Sequence, residues 1–159
     1  MEITEEQVEK AVNEALDKLR EKDWQLLYWD VNERSISHRL AIYLEDYFKN
    51  YDLDIDCEYN RMYDGKNIRT PKSLDIQPKS IISDDIKGTT VYPDIIVHRR
   101  NSYNNLVAIE IKKTSSNQQN YQYDLDKLAA FKNELKYKFA IFIKMKTGDD
   151  FCIEPIEWI

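Results

Sequence analysis

The chain has 159 residues, of which 42% are hydrophobic, so it is about the size of one ordinary domain and can bury a core. Its net charge of -6 argues against a protein that coats nucleic acid nonspecifically, because such domains are usually basic. No apolar run approaches the roughly 20 residues that span a bilayer, and the acidic N-terminus is unlike a signal peptide, so we expect a cytoplasmic protein without membrane contact.

The charge is unevenly distributed along the chain. Residues 98–146 hold 10 Lys and Arg against 4 Asp and Glu, a net of +6, which leaves 13 against 25, a net of -12, elsewhere. Such asymmetry is typical of an acidic protein with one phosphate-facing side. Lysines on a solvated helix face are the commoner cause of the same pattern.

Two amphipathic helices open the chain. Thr4 and Gln7 form a capping-box pattern, and apolar residues recur at helical spacing after them, which predicts a helix over 4–21. Its apolar stripe either packs on the domain or forms a homodimer or partner contact. An apolar connector of unassigned structure follows, and then Asp30 or Asn32 caps a second helix.

Glu33 lies in the first turn of the second helix, seven residues before Leu40, and therefore falls on the apolar stripe of that helix. A carboxylate at this place is either a solvated partner of the helix dipole or a group directed into a site at the end of the sheet. For the nearby His38 a structural role is favoured over catalysis, because one unpaired histidine carries little information.

A short strand and a long irregular segment come next. The alternation in LDIDCEY (53–59) predicts a strand whose apolar residues, Cys57 included, face inward. Its carboxylates Asp56 and Glu58 then face solvent, and Glu58 approaches the site described below only if that face continues. Segment 60–90 has no long periodicity and predicts a long loop, whose basic residues either grip a nucleic-acid backbone or simply cover the surface.

Two apolar runs around a polar turn occupy the centre of the chain. Residues 95–97 and 106–111 predict an antiparallel hairpin, and alternation puts Asp94, Glu110 and Lys112 on one face of it. A register with Asp94 opposite Glu110 brings their Cβ atoms to about 5 Å, close enough for both carboxylates to hold one hard cation. A metal ion there would activate water, and Lys112 beside it would help to offset charge on a phosphate, which suits phosphodiester hydrolysis.

The last third of the chain completes an α/β pattern. We expect a helix over 124–136, a buried strand over 139–145 and a final edge strand over 151–156 that Pro155 limits. Four polar residues near the start of this helix, where positive charge and a helix N-terminus could meet phosphate, are Gln118, Gln119, Gln122 and Lys127.

Pro93-Asp94, followed by Glu110-Ile111-Lys112 at the end of the next apolar strand, resembles the motif of the PD-(D/E)xK nuclease superfamily. The resemblance covers roughly residues 33–145. It implies one α/β domain over 1–159 with a restriction-endonuclease-like fold, in which helices flank a mixed β-sheet of about four to five strands.

The resemblance also implies roles for individual residues. Asp94 and Glu110 would bind Mg²⁺ or Mn²⁺, with help from a backbone carbonyl near the Glu, and Lys112 would position or activate the attacking water. Glu33 matches by position a helix Glu that assists metal binding in many members. Residues 118–127 correspond to a region from which a Gln or Lys often supports the site.

Two functions remain open from the sequence. The first is a Mg²⁺-dependent nuclease that hydrolyses DNA or RNA, and the second is a non-catalytic binding subunit that keeps the nuclease fold. The intact Asp94, Glu110 and Lys112 favour the first. The acidic composition and the absence of a recognisable helix-turn-helix or zinc-finger motif leave substrate selection open.

Overall fold

A mixed β-sheet with helices on its two faces forms the body of the computed structural model, which describes residues 2–59, 61–62, 65, 70–71, 73–74, 89–90, 92–114 and 121–159. The α-helices of these residues are α1 (Glu5–Lys22), α2 (Trp24–Tyr28), α3 (Glu33–Phe48) and α4 (Tyr121–Asn133). None of them is long and apolar enough to cross a membrane.

The first helices begin where the sequence predicts. The side chain of Thr4 accepts a hydrogen bond from the Gln7 amide and that of Gln7 accepts one from Thr4, so the capping box is confirmed. Asn32 rather than Asp30 caps α3, because its Oδ1 accepts a hydrogen bond from the Ser35 amide at 2.9 Å. The connector between these helices is itself the short helix α2.

The apolar stripe of α1 is buried within the domain. All six of its apolar stripe residues lie in one core cluster with α3 and the sheet: Val8, Ala11, Val12, Ala15, Leu16 and Leu19. Of the two uses that the sequence left open for this stripe, packing on the domain is the one observed.

The sheet has six strands in the described part of the chain. In sheet order they are β1 (Asp54–Cys57), β6 (Ile95–His98), β7 (Asn105–Lys113), β8 (Phe139–Lys146) and β10 (Glu157–Trp158), with β9 (Cys152–Ile153) also pairing with β8. Among the strand pairs that the structure describes, only β7 and β8 run parallel, and α4 lies between them in the chain. The α/β class with a mixed sheet is therefore confirmed.

The other four strands form two short ladders apart from the main sheet. They are β2 (Arg61–Met62) with β3 (Thr70–Pro71), and β4 (Ser73–Leu74) with β5 (Thr89–Thr90). All four fall in the predicted loop 60–90. Most of the basic residues of that loop lie outside the described residues.

Two expectations about strands are wrong. The edge strand expected over 151–156 is the shorter β9, which ends before Pro155, a residue without an amide donor for a ladder, and β10 is a separate strand beyond residue 156. Cys57 is exposed rather than inward, because β1 is an edge strand that ends there, and Glu58 after it leaves the extended conformation with a φ of 49°.

The two faces of the sheet pack against different helices. Ile95, Ile109 and Ile141 belong to the core cluster shared with α1 and α3, whereas Ile96, Ala108 and Phe142 belong to the cluster shared with α4. Since side chains alternate along a strand, Glu110 and Lys112 project on the α4 side. The helix that faces the predicted site residues is therefore α4.

Candidate active site

The hairpin of β6 and β7 brings Asp94 beside Glu110. Ile95 pairs with Ile109 and Val97 with Val107, a register that continues to Asp94 opposite Glu110 and is the one predicted. The register shifts by one residue at an irregularity between Val97 and His98, so it is set by the packing of both faces of β6 and not by the turn alone. The predicted pair of carboxylates is thus assembled by local structure.

Two carboxylates accept hydrogen bonds from backbone amides at the end of β7. β7 continues to Lys113, past the point where β6 begins, so no strand among the described residues pairs with the amides of Ile111 and Lys113 on that side. Asp94 Oδ2 accepts a hydrogen bond from the Ile111 amide at 2.7 Å, and Glu33 Oε1 accepts one from the Lys113 amide at 3.0 Å. Amides two residues apart on a strand are about 7 Å apart, so Glu33 reaches the edge where Asp94 lies.

Glu110 is the most buried ionisable group of the site, with 3% of the residue exposed. Lys127 Nζ lies 2.8 Å from its Oε1, the distance of a charge-assisted hydrogen bond. This ammonium is the cation that compensates the buried carboxylate. Burial, and after it the charge of Asp94, raise the pKa of Glu110 well above its usual range.

Asp94 shares this environment. Burial raises the pKa of its carboxyl, and the Ile111 amide and the charge of Lys127 offset this only in part. Two adjacent carboxyls with raised pKa values carry negative charge at a cost, and a nearby cation lowers that cost. The site is therefore suited to bind positive charge.

Lys112 is on the same face as Glu110, but its ammonium contacts a residue of α4. Its Nζ lies 3.1 Å from Asp124 Oδ2, and both side chains are largely buried. Asp124 and Lys127 are three residues apart on α4 and so lie on one face of it. The helix thus presents a carboxylate to Lys112 and an ammonium to Glu110.

Of the four polar residues singled out near the start of this helix, Lys127 contacts the site in the described part of the chain. Gln122 is exposed and donates a hydrogen bond to Asp126 on its own helix, and Gln118 and Gln119 lie outside the described residues. Sequence periodicity alone placed Lys127 on the helix without showing how that helix is rotated on the sheet.

The donors at this site are of the kind that a hard divalent cation prefers. Asp94 and Glu110 supply carboxylate oxygens, which fits Mg²⁺ or Mn²⁺, and in this structure the Lys127 ammonium contacts Oε1 of Glu110. Across the described residues, however, no three or more His, Cys, Asp or Glu side chains are grouped to hold a metal ion. Two of the three predicted carboxylates are together, and Glu33 is engaged with the Lys113 amide.

A cleft of about 200 Å³ opens beside Asp94. The residues that line it are Arg34, Ser37, His38, Cys57, Glu58 and Asp94. Glu58 Oε1 lies 2.7 Å from Arg34 Nε, so this carboxylate pairs with α3. His38 is exposed in the same cleft. Among the described residues it has no hydrogen-bond partner of the kind that the expected structural role requires. The cleft is an approach from solvent to Asp94.

A second polar cluster, around Asp56, is not predicted by the sequence. His98 is buried, and its Nε2 lies 2.9 Å from Oδ2 of Asp56, which also accepts a hydrogen bond from Arg100 Nε at 2.8 Å. Tyr59 covers His98 with ring centroids 5.0 Å apart. Asp56 is therefore largely buried and not on a solvent face as predicted, because β1 pairs with a strand some 40 residues later, which alternation within β1 does not reveal.

The Asp56 cluster should contribute to stability in a pH-dependent way. Burial alone would raise the pKa of Asp56, but His98 and Arg100 outweigh it and hold the pKa below its usual range. The stabilisation is therefore present above about pH 4 and is lost as the pH falls further. Asp56→Asn should lower the free energy of unfolding by about 3 kcal/mol at neutral pH, and less in acid.

Urea unfolding at two pH values measures this effect. Asp54→Asn is the matched control, since Asp54 lies on the same strand but is more exposed, and it should cost less than about 1 kcal/mol. An Asp56→Asn protein as stable as the wild type at neutral pH would show that the cluster contributes nothing.

Comparison of the chain with protein-family models, with curated proteins and with solved structures finds no match. The fold and the site are therefore interpreted from the residues of this chain. The class they define is an α/β domain with three carboxylates, those of Asp94, Glu110 and Asp124, and two lysines at one end of a mixed sheet.

Proposed function

We propose that this chain is a nuclease of restriction-endonuclease-like fold that uses Mg²⁺ or Mn²⁺ to hydrolyse phosphodiester bonds of DNA or RNA. The main support for the proposal is the pairing of β6 with β7, whose register places Asp94 opposite Glu110. Lys112 follows Glu110 by two residues and lies on the same face. The mixed sheet and the cleft that opens at Asp94 are consistent with it.

Asp94 and Glu110 would hold the metal ion, and Glu33 would act as the third carboxylate, directly or through water. The bound ion would activate a water molecule and offset charge on the phosphate. The protein holds its two ligands in place before binding: the Ile111 amide fixes Asp94, and the packing of β7 against β6 and β8 fixes Glu110.

Lys112 would stabilise the charge that develops on the phosphate. Its ammonium cannot ligate a cation, because a protonated amine has no free lone pair. In the structure it is paired with Asp124, so it must turn from that carboxylate toward the substrate. Because the pair is largely buried, an anionic phosphate that entered the site would meet an ammonium little screened by water.

Nucleic acid is the substrate class that this chemistry selects. The proposed site residues Glu110 and Lys112 fall within residues 98–146, whose net charge is +6 in a chain of net charge -6. At the site itself the positive charge comes from Lys112 and Lys127, the two ammonium groups that an anionic phosphate would meet there.

A non-catalytic binding subunit is the second candidate, and one observation favours it. Both charged groups of the motif on β7 already have opposite charges from α4, Glu110 with Lys127 and Lys112 with Asp124. A domain that no longer turns over substrate would keep such a neutralised cluster for stability alone.

A cleavage panel separates the two candidates. Single-stranded and double-stranded DNA and RNA are incubated with the wild-type protein in Mg²⁺, in Mn²⁺ and in EDTA. We expect cleavage of at least one substrate in either metal and none in EDTA. Binding of nucleic acid without cleavage of any substrate in either metal would support the binding subunit instead.

A further inference from the structure

Lys127 has an unusual position for a lysine. It lies on the buried face of α4, together with Asp124 and Leu128, and 11% of its side chain is exposed. Its Nζ is 2.8 Å from Glu110 Oε1 and donates a longer hydrogen bond, at 3.4 Å, to the carbonyl oxygen of Tyr92. The ammonium thus connects the glutamate of β7 to the segment that leads into Asp94.

A buried ammonium needs negative charge nearby to remain charged. For Lys127 that charge is the Glu110 carboxylate 2.8 Å away, and the lysine is held there on the buried face of α4. Lys127 therefore places a positive charge against a carboxyl that would ligate a metal ion. Lys112, although near, is held by a different carboxylate, Asp124.

We propose that Lys127 is a positioning residue of this site: it neutralises Glu110 in the metal-free protein and must leave that carboxylate before a divalent cation binds there. This inference rests on the proposed function and adds a competition between an internal cation and the metal. Lys127 contacts the carboxylate that the cation would bind, and their like charges repel at short distance. The exchange takes place while the backbone hydrogen bond of Asp94 stays in place.

The proposed competition predicts different effects for replacing Lys127 and for replacing Lys112. Lys127→Met removes the charge that contacts the ligand oxygen, so Mn²⁺ affinity should rise by about tenfold or more. Lys112→Met, the matched control, removes one charge from the same cluster but not from Glu110, so affinity should change by less than about threefold. Calorimetric titration with Mn²⁺ at mildly alkaline pH, where protons compete little for the carboxyls, measures both.

Three results of the titration would overturn the proposal. One is unchanged or weaker Mn²⁺ binding by Lys127→Met. Another is an equal gain in Lys112→Met, which would show a general effect of charge. The third is absence of Mn²⁺ binding by both wild type and Lys127→Met.

A second measurement uses the wild-type protein and therefore tests the proposal even if Lys127→Met fails to fold. An amine-reactive reagent is applied with and without saturating Mn²⁺, and labelling of each lysine is read by mass spectrometry. Lys127 should be labelled several-fold faster with Mn²⁺ present, whereas Lys10, an exposed lysine of α1, should not change. Saturation with Mn²⁺ that leaves Lys127 labelling unchanged would contradict the displacement.

The inference and the proposed function fail in different ways. Tight Mn²⁺ binding by Lys127→Met, together with a wild type that cleaves no nucleic acid, would support the role of Lys127 and reject the nuclease. Metal-dependent cleavage by the wild type, with no gain of affinity in Lys127→Met, would keep the nuclease and reject the competition.

Discussion

Replacing Lys112 with methionine should slow cleavage by about 10²-fold or more, the scale of losing one preorganised electrostatic group in a site that excludes water. Metal affinity should stay intact or rise slightly, since one repelling charge is gone and no ligand is lost. Single-turnover cleavage rates at saturating Mg²⁺ measure the first effect, and Mn²⁺ titration measures the second. This combination is specific to a group that acts in the transition state.

Lys144→Met is the matched control for this experiment. Lys144 lies beside Lys112 on β8 in the parallel register and pairs with Glu157, away from Asp94 and Glu110. Its replacement should leave the cleavage rate within about threefold of wild type. Cleavage by Lys112→Met at the wild-type rate would mean that the nuclease is a contaminant or that the active site is elsewhere on the chain.

Asp94→Asn and Glu110→Gln should each reduce cleavage by about 10³-fold, because each removes a negatively charged ligand and the remaining carboxylate holds a divalent cation poorly. The backbone should tolerate both changes. An asparagine at position 94 can still accept the hydrogen bond from the Ile111 amide, and a glutamine at position 110 has the same shape as the glutamate. Circular dichroism verifies folding, and single-turnover rates measure the loss.

Asp126→Asn controls for the loss of one negative charge near the site. Asp126 is exposed on α4 and accepts a hydrogen bond from Gln122, so its replacement should leave cleavage nearly unchanged. If Asp94→Asn and Glu110→Gln cleave as fast as Asp126→Asn, these carboxylates are not the metal ligands.

Local patterns in the sequence were sufficient to predict the elements that hold Asp94 and Glu110. The two apolar runs predict β6 and β7, and pairing them as a hairpin sets Asp94 opposite Glu110, although the register shifts by one residue between Val97 and His98. The capping box and the six-residue stripe of α1 are equally local. The position of Glu33 on the apolar stripe of α3 predicts that it faces the sheet, where its carboxylate accepts a hydrogen bond from the Lys113 amide.

The contacts that the sequence did not predict are those between distant segments. The pairing of Lys127 with Glu110 and of Asp124 with Lys112 depends on the rotation of α4 about its axis, which a weakly amphipathic helix does not specify. The His98 cluster depends on which strand pairs with β1. Helix α2 has only five residues, too few for a helical period to be recognised.

The most direct test of a metal-dependent site is a crystal structure of the wild-type protein with Mn²⁺, in which anomalous scattering locates the ion. We expect one ion bonded to an oxygen of Asp94 and an oxygen of Glu110 at about 2.1 Å, with the Lys127 ammonium moved off Glu110. A Glu33 carboxylate within about 8 Å of both would make it a direct or water-bridged ligand. An ion bound elsewhere, or none between Asp94 and Glu110 at saturating Mn²⁺, would contradict the proposed site.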